Sequence, residues 1–122
     1  MQEQEYGKHH EGHVELWNWL FHHPNKGKSQ WPGWERNGGI WPEVEADCFA
    51  CEVSRDPACR DCPIIWGEKI INGKMQCGHN DSPYCKWYYA KSPKAHKKYA
   101  ALVRDAVWIP YEEWLEMVME IV

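Results

Sequence analysis

The sequence predicts an α+β fold: a small zinc-stapled domain with about three helices and a short β-hairpin next to a four-cysteine zinc knuckle. Three observations carry this reading. CFACEVSRDPACRDC, residues 48 to 62, holds two Cys-x-x-Cys pairs with seven residues between them. Three segments place apolar residues at helical spacing. IIWGEKIINGKMQC sets Ile and Trp on either side of Asn72-Gly73, a hairpin-turn dipeptide.

At 122 residues the chain fits one domain, 1–122, near the size at which a small core benefits from a staple. Nine Trp and six Tyr against two Phe give it large apolar surfaces that each keep a polar group. The net charge of -4 argues against nonspecific coating of nucleic acid, which needs a broadly positive field. MQEQEYGKHHEGH is polar where a secretory signal needs an apolar core, and no run reaches the roughly 18 apolar residues of a membrane span. The expectation is a soluble cytoplasmic chain that makes no use of a membrane.

The elements follow in order. Residues 9–23 place Leu16, Trp17, Leu20 and Phe21 on one arc with Val14 beside it, an amphipathic helix closed by Pro24. His9, His10 and His13 fall on or near that arc. They fit either core-edge histidines or a ligand pair at four-residue spacing. Residues 24–47, rich in Gly, Pro and Trp, form a structured loop in which Pro32-Gly33 turns the chain between Trp31 and Trp34. These indoles, with Arg36, offer stacking and cationic groups to a ligand, or else fold inward to cap the core. Ser92-Pro93 announces a second helix over 94–107. Its apolar face is Ala95, Tyr99, Leu102, Val103 and Ala106, and Lys94, Lys97, Lys98 and Arg104 lie opposite. The last helix starts at Pro110, with Tyr111, Trp114, Leu115, Val118, Ile121 and Val122 inward and Glu112, Glu113, Glu116 and Glu120 outward, where the acids are placed to pair with the preceding lysines.

In a reducing compartment, four close thiols are metal ligands before they are disulfides, and paired knuckles suit tetrahedral thiolate zinc. Cys48, Cys51, Cys59 and Cys62 are the expected ligands, and Asp56-Pro57 turns the second pair back on the first. An iron–sulfur cluster, a redox dithiol and disulfides are the competing readings. Cys77 and Cys85 read as buried small apolar residues, yet either of them, or His79, is placed to enter a mixed ligand set. Four thiolates leave no open coordination position, so the zinc holds the fold together and does no chemistry.

Leu16-Trp17-Asn18-Trp19-Leu20, Trp31 to Trp34, Cys48 to Pro63, Trp66-Gly67, Ser82-Pro83-Tyr84 and Ile109-Pro110, in that order, resemble small cysteine-rich proteins of unassigned function encoded by tailed bacteriophages. The resemblance spans most of the chain. It implies no activity and no catalytic residue, but a binding protein that inhibits or modulates a host protein or defence complex in the bacterial cytoplasm. The residues themselves contain no phosphate-binding glycine loop, serine nucleophile motif or HExxH site, so no enzyme is expected. The alternative function is a nucleic-acid or nucleotide-binding module. On either reading Trp31, Trp34, Arg36, Lys94, Lys97 and Lys98 are the expected contact residues.

Overall fold

The structure is a computed structural model that describes residues 1–54, 60–67 and 76–121. The described chain runs α1 (Glu3–His22), three single 3-10 turns between residues 28 and 47, α2 (Phe49–Val53), β1 (Ile64–Ile65), α3 (Pro83–Tyr88), α4 (Pro93–Arg104), β2 (Val107–Trp108) and α5 (Tyr111–Ile121). This is the expected mixed, helix-rich class, but with five helices among the described residues instead of about three. The two additions are short. α2 sits inside the cysteine segment, and α3 starts with Ser82 accepting a hydrogen bond from the Cys85 N–H, the same Ser-Pro start that marks α4.

α1 begins six residues before the expected start, because Tyr6 supplies an apolar anchor one heptad ahead of His13. Its buried stripe is Tyr6, Gly12, His13, Leu16, Trp17 and Leu20. Gly12 serves a packing purpose: the Phe49 ring of α2 lies where a Cβ would be, 2.6 Å from it. α4 lies along α1 and buries Ala100 and Val103, while Leu102, expected inward, is 48% exposed. The chain leaves the helix at Arg104, so Val107 belongs to β2 and not to the helix.

The hairpin expected over residues 64–77 is only partly described, since Ile70, Ile71 and Asn72-Gly73 lie outside the described residues. The strand that is described pairs elsewhere. β1 runs antiparallel to β2, with Ile64 opposite Trp108 and Ile65 opposite Val107, and the Ile109 N–H extends the pairing to the Pro63 carbonyl at 2.8 Å. Two residues per strand give little independent stability, so this sheet depends on the helices around it. The Tyr6 hydroxyl donates to the Ile109 carbonyl, tying α1 to the end of β2, and the Trp114 indole N–H of α5 donates to the Asp61 carbonyl at 2.8 Å. Val122 lies outside the described residues, and Leu115, expected inward, is 38% exposed.

Among the described residues no helix is long and apolar enough to cross a membrane.

Candidate metal centre

Cys48 stands at the start of α2, where its sulfur accepts a hydrogen bond from the Cys51 N–H at 3.4 Å. The chain reaches this position through Ala46 and Asp47, both left-handed at φ 57° and 51°, a conformation that side chains with a Cβ rarely adopt. Two cations hold the strained pair in place. The Lys28 ammonium donates to the Ala46 carbonyl at 3.0 Å, and the Arg36 guanidinium pairs with the Asp47 carboxylate at 3.0 Å.

The tryptophan loop supports α2 from the other side. Trp34 stacks on Phe49 at 5.3 Å, Trp41 meets the same ring edge-on at 5.3 Å, and Trp31 packs at right angles to Trp34 at 5.0 Å. The Trp34 indole N–H donates to the Lys28 carbonyl at 2.9 Å. Trp31 and Trp34 are buried, so the expectation that their faces meet a partner gives way to the core-cap arrangement. A large ring gains more by covering Phe49 than by facing water. Arg36 is exposed but committed to Asp47, and its guanidinium also lies 5.5 Å from the Trp34 ring.

Cys62 is positioned by the core on both sides. Before it, Asp61 is buried and accepts the Ser54 hydroxyl at 2.6 Å; after it, Pro63 is fully buried. Cys77 comes from a third segment, where its carbonyl accepts the hydroxyl of the buried Ser82. Cys48, Cys51, Cys62 and Cys77 together line one cavity of about 20 Å³, room for a single water-sized occupant. Cys48, Cys51, Cys62, Cys77 and Cys85 form no disulfide among the described residues.

Cys48 and Cys51 act on each other in opposite directions. The hydrogen bond from the Cys51 thiol pulls the Cys48 thiol down from its usual range against the effect of burial, with the Lys28 charge assisting. The same hydrogen bond pushes Cys51 up, followed by burial and by the nearby Cys48, Cys77 and Cys62 sulfurs. Several sulfurs crowded into a dry site resist ionising together unless a cation accompanies them. Trp66 also lines the cavity, and its indole N–H is buried with no acceptor among the described residues.

Among the described residues no group of three or more Cys, His, Asp or Glu side chains is arranged to hold a metal ion as it stands, and the fourth expected ligand, Cys59, lies outside the described residues. The donor types suit zinc. Cys77, which the sequence offers either as a buried apolar residue or as a member of a mixed ligand set, lines the cavity with Cys48, Cys51 and Cys62. His79 and Cys85 do not line the cavity; the His79 Nδ1 instead accepts the Asp81 N–H at 3.0 Å.

The N-terminal histidines belong to the core and its edge. His13 is buried, His10 stacks on Trp108 at 4.7 Å, and the His9 Nδ1–H donates to the Glu5 carbonyl at 2.7 Å. Lys94, Lys97 and Lys98 are exposed on α4, as expected. Ion pairs among the described residues include Arg36–Asp47 and Arg104–Asp105, and the expected pairing of α4 lysines with α5 glutamates is not present among the described residues. Comparison with family models, with curated proteins and with solved structures finds no match to this chain.

Proposed function

We propose that this chain is a zinc-stapled, non-catalytic binding protein of the bacterial cytoplasm. The observation that carries the reading is the convergence of thiols from three separated segments, at Cys48 and Cys51, Cys62, and Cys77, around a cavity with room for one small occupant. A thiolate-rich set suits zinc, and binding it offsets the repulsion among the sulfurs. The Trp66 indole N–H would then have a thiolate to donate to, an outer-shell role that orients and tunes ligands. The ligand set we favour is Cys48, Cys51, Cys62 and Cys77, with Cys59 as the competitor for the last place.

Metal analysis and cobalt substitution of the reduced protein test this. About one zinc per chain is expected, and a thiolate-to-cobalt absorption band that Cys48→Ser, Cys62→Ser and Cys77→Ser each abolish or shift. A band that survives Cys77→Ser and is lost in Cys59→Ser restores the two-knuckle set. Metal-free protein with its thiols oxidised to disulfides overturns both the zinc reading and the cytoplasmic one.

The partner inferred from the phage resemblance is a host protein or defence complex. A second reading, a nucleic-acid partner, is favoured by a specific observation: Lys94, Lys97 and Lys98 are exposed and have no carboxylate partner among the described residues. Affinity capture from bacterial lysate with and without nuclease separates the two. Nuclease-sensitive capture supports the second reading, and a stoichiometric protein complex that resists nuclease supports the first.

A further inference from the structure

A second concave surface lies on the side of the molecule where the loop after α1 faces the start of α4. It is an open cleft of about 560 Å³, and its charged lining residues are Lys26, Lys28, Lys91 and Asp47. Asp47 is the only acid among them, and Arg36 neutralises it at 3.0 Å. Lys28 is held in position by the Ala46 carbonyl and by the Tyr84 hydroxyl at 2.9 Å, while Lys26 and Lys91 are exposed with no carboxylate partner among the described residues. The cleft therefore carries unneutralised positive charge on a chain whose net charge is -4. Such local charge has to survive the repulsion of neighbouring lysines, and an anion relieves it.

The cleft also has an aromatic wall. Tyr88 lines it and is 63% exposed, and beside it Tyr89 is 70% exposed. A tyrosine ring this open, next to lysines, matches a ligand that presents an unstacked planar base together with phosphate. The positive strip continues past the cleft from Lys91 onto Lys94 and Lys98, which share a helix face at four-residue spacing. One phosphate group would leave that strip unused, whereas a strand carries a phosphate at every nucleotide. Paired bases would have no free face for Tyr88.

We propose that this cleft binds single-stranded nucleic acid, with Lys26 and Lys91 on phosphates and Tyr88 stacked on a base. The proposal rests on the second, nucleic-acid reading and deepens it by naming the strand and its site, and because the cleft contains no thiol it stands or falls independently of the zinc.

The test is fluorescence anisotropy of a labelled single-stranded oligothymidylate over a range of salt concentrations, on protein whose zinc content and thermal transition are measured in the same preparation. The wild type is expected to bind, with unlabelled duplex and thymidine monophosphate competing far less well than the unlabelled strand. The double variant Lys26→Gln/Lys91→Gln is expected to weaken binding about tenfold and to reduce the slope of log affinity against log salt by about 1.4, two phosphate contacts for a single strand. Tyr88→Ala is expected to weaken binding about tenfold with the salt slope unchanged. Equal competition by the monophosphate overturns the strand in favour of a nucleotide, and equal competition by duplex overturns the role of Tyr88. Unchanged affinity in the lysine variant, or no binding by folded wild type, overturns the site. Folded wild type that ignores the oligonucleotide but retains a host protein through Lys26 and Lys91 after nuclease treatment overturns it in favour of a protein partner.

Discussion

His13 of α1 and Val103 of α4 are ninety residues apart and joined directly: the Nε2–H of the buried imidazole donates to the Val103 carbonyl at 2.8 Å. That bond fixes the tautomer and closes the contact between the two helices. Trp108 and Trp17 pack around the ring at 5.4 and 6.3 Å. Burial is the largest influence on this imidazole and pushes its pKa down to about 4, against the hydrogen bond to Val103 and with help from nearby His10, whose own pKa burial also lowers.

A pH dependence of stability follows from that depression. The unfolded imidazole takes up a proton near 6.5 and the folded one only near 4, so stability is full above 6.5 and falls as the pH drops toward 4. The loss is about 1.4 kcal/mol per unit of pH, on the order of 3 kcal/mol across the window. Urea unfolding at a series of pH values should show it, and His13→Gln, which keeps an N–H for Val103, should flatten the curve. Parallel curves for wild type and variant would place the dependence elsewhere.

Trp34 is fully buried and bonded through its indole N–H to Lys28, whose ammonium holds the turn before Cys48. Trp34→Ala is expected to cost about 3–5 kcal/mol, the range for a buried aromatic. Affinity per folded molecule for any ligand should stay the same. Chemical denaturation and binding measured on one sample distinguish this from a recognition role, in which affinity falls while the unfolding midpoint holds.

Two glycines make an opposed pair. A Cβ on Gly39 would come 2.2 Å from the Gly33 carbonyl oxygen, where backbone cannot yield, and Gly39→Ala should open the loop that pairs Trp34 with Trp41, costing about 1–3 kcal/mol. Gly7 on α1 has nothing within 4 Å, and Gly7→Ala should stabilise by about 0.5–1 kcal/mol through helix propensity. Melting temperatures that move in the same direction for both would refute the packing account.

The lysine face of α4 should matter for binding and little for folding. Lys97 and Lys98 lie over the Phe21 and Tyr99 rings at 4.8 and 5.3 Å, contacts that remain open to solvent and screened by salt. Lys94→Glu, Lys97→Glu and Lys98→Glu together should leave the thermal transition almost unmoved and weaken binding to single-stranded oligonucleotide. A large fall in melting temperature would assign these side chains to the fold.

Features that rest on local chemistry were legible in the letters alone. The Leu16, Trp17 and Leu20 spacing, the Ser92-Pro93 start and the Trp114 face each specify a helix without reference to the rest of the chain, and the charge of α4 is set by its composition. Whatever depends on partners distant in the chain was settled by packing. β1 pairs with β2 from far along the chain, and Trp31 and Trp34 turn inward because Phe49 and the Gly12 gap give them a surface to cover. Cys77 reaches the cavity of Cys48, Cys51 and Cys62 from a segment whose spacing resembles no zinc knuckle. Cysteine spacing in a sequence reports the pairs that one turn of chain can bring together; which separate turn comes to lie beside them is decided by packing.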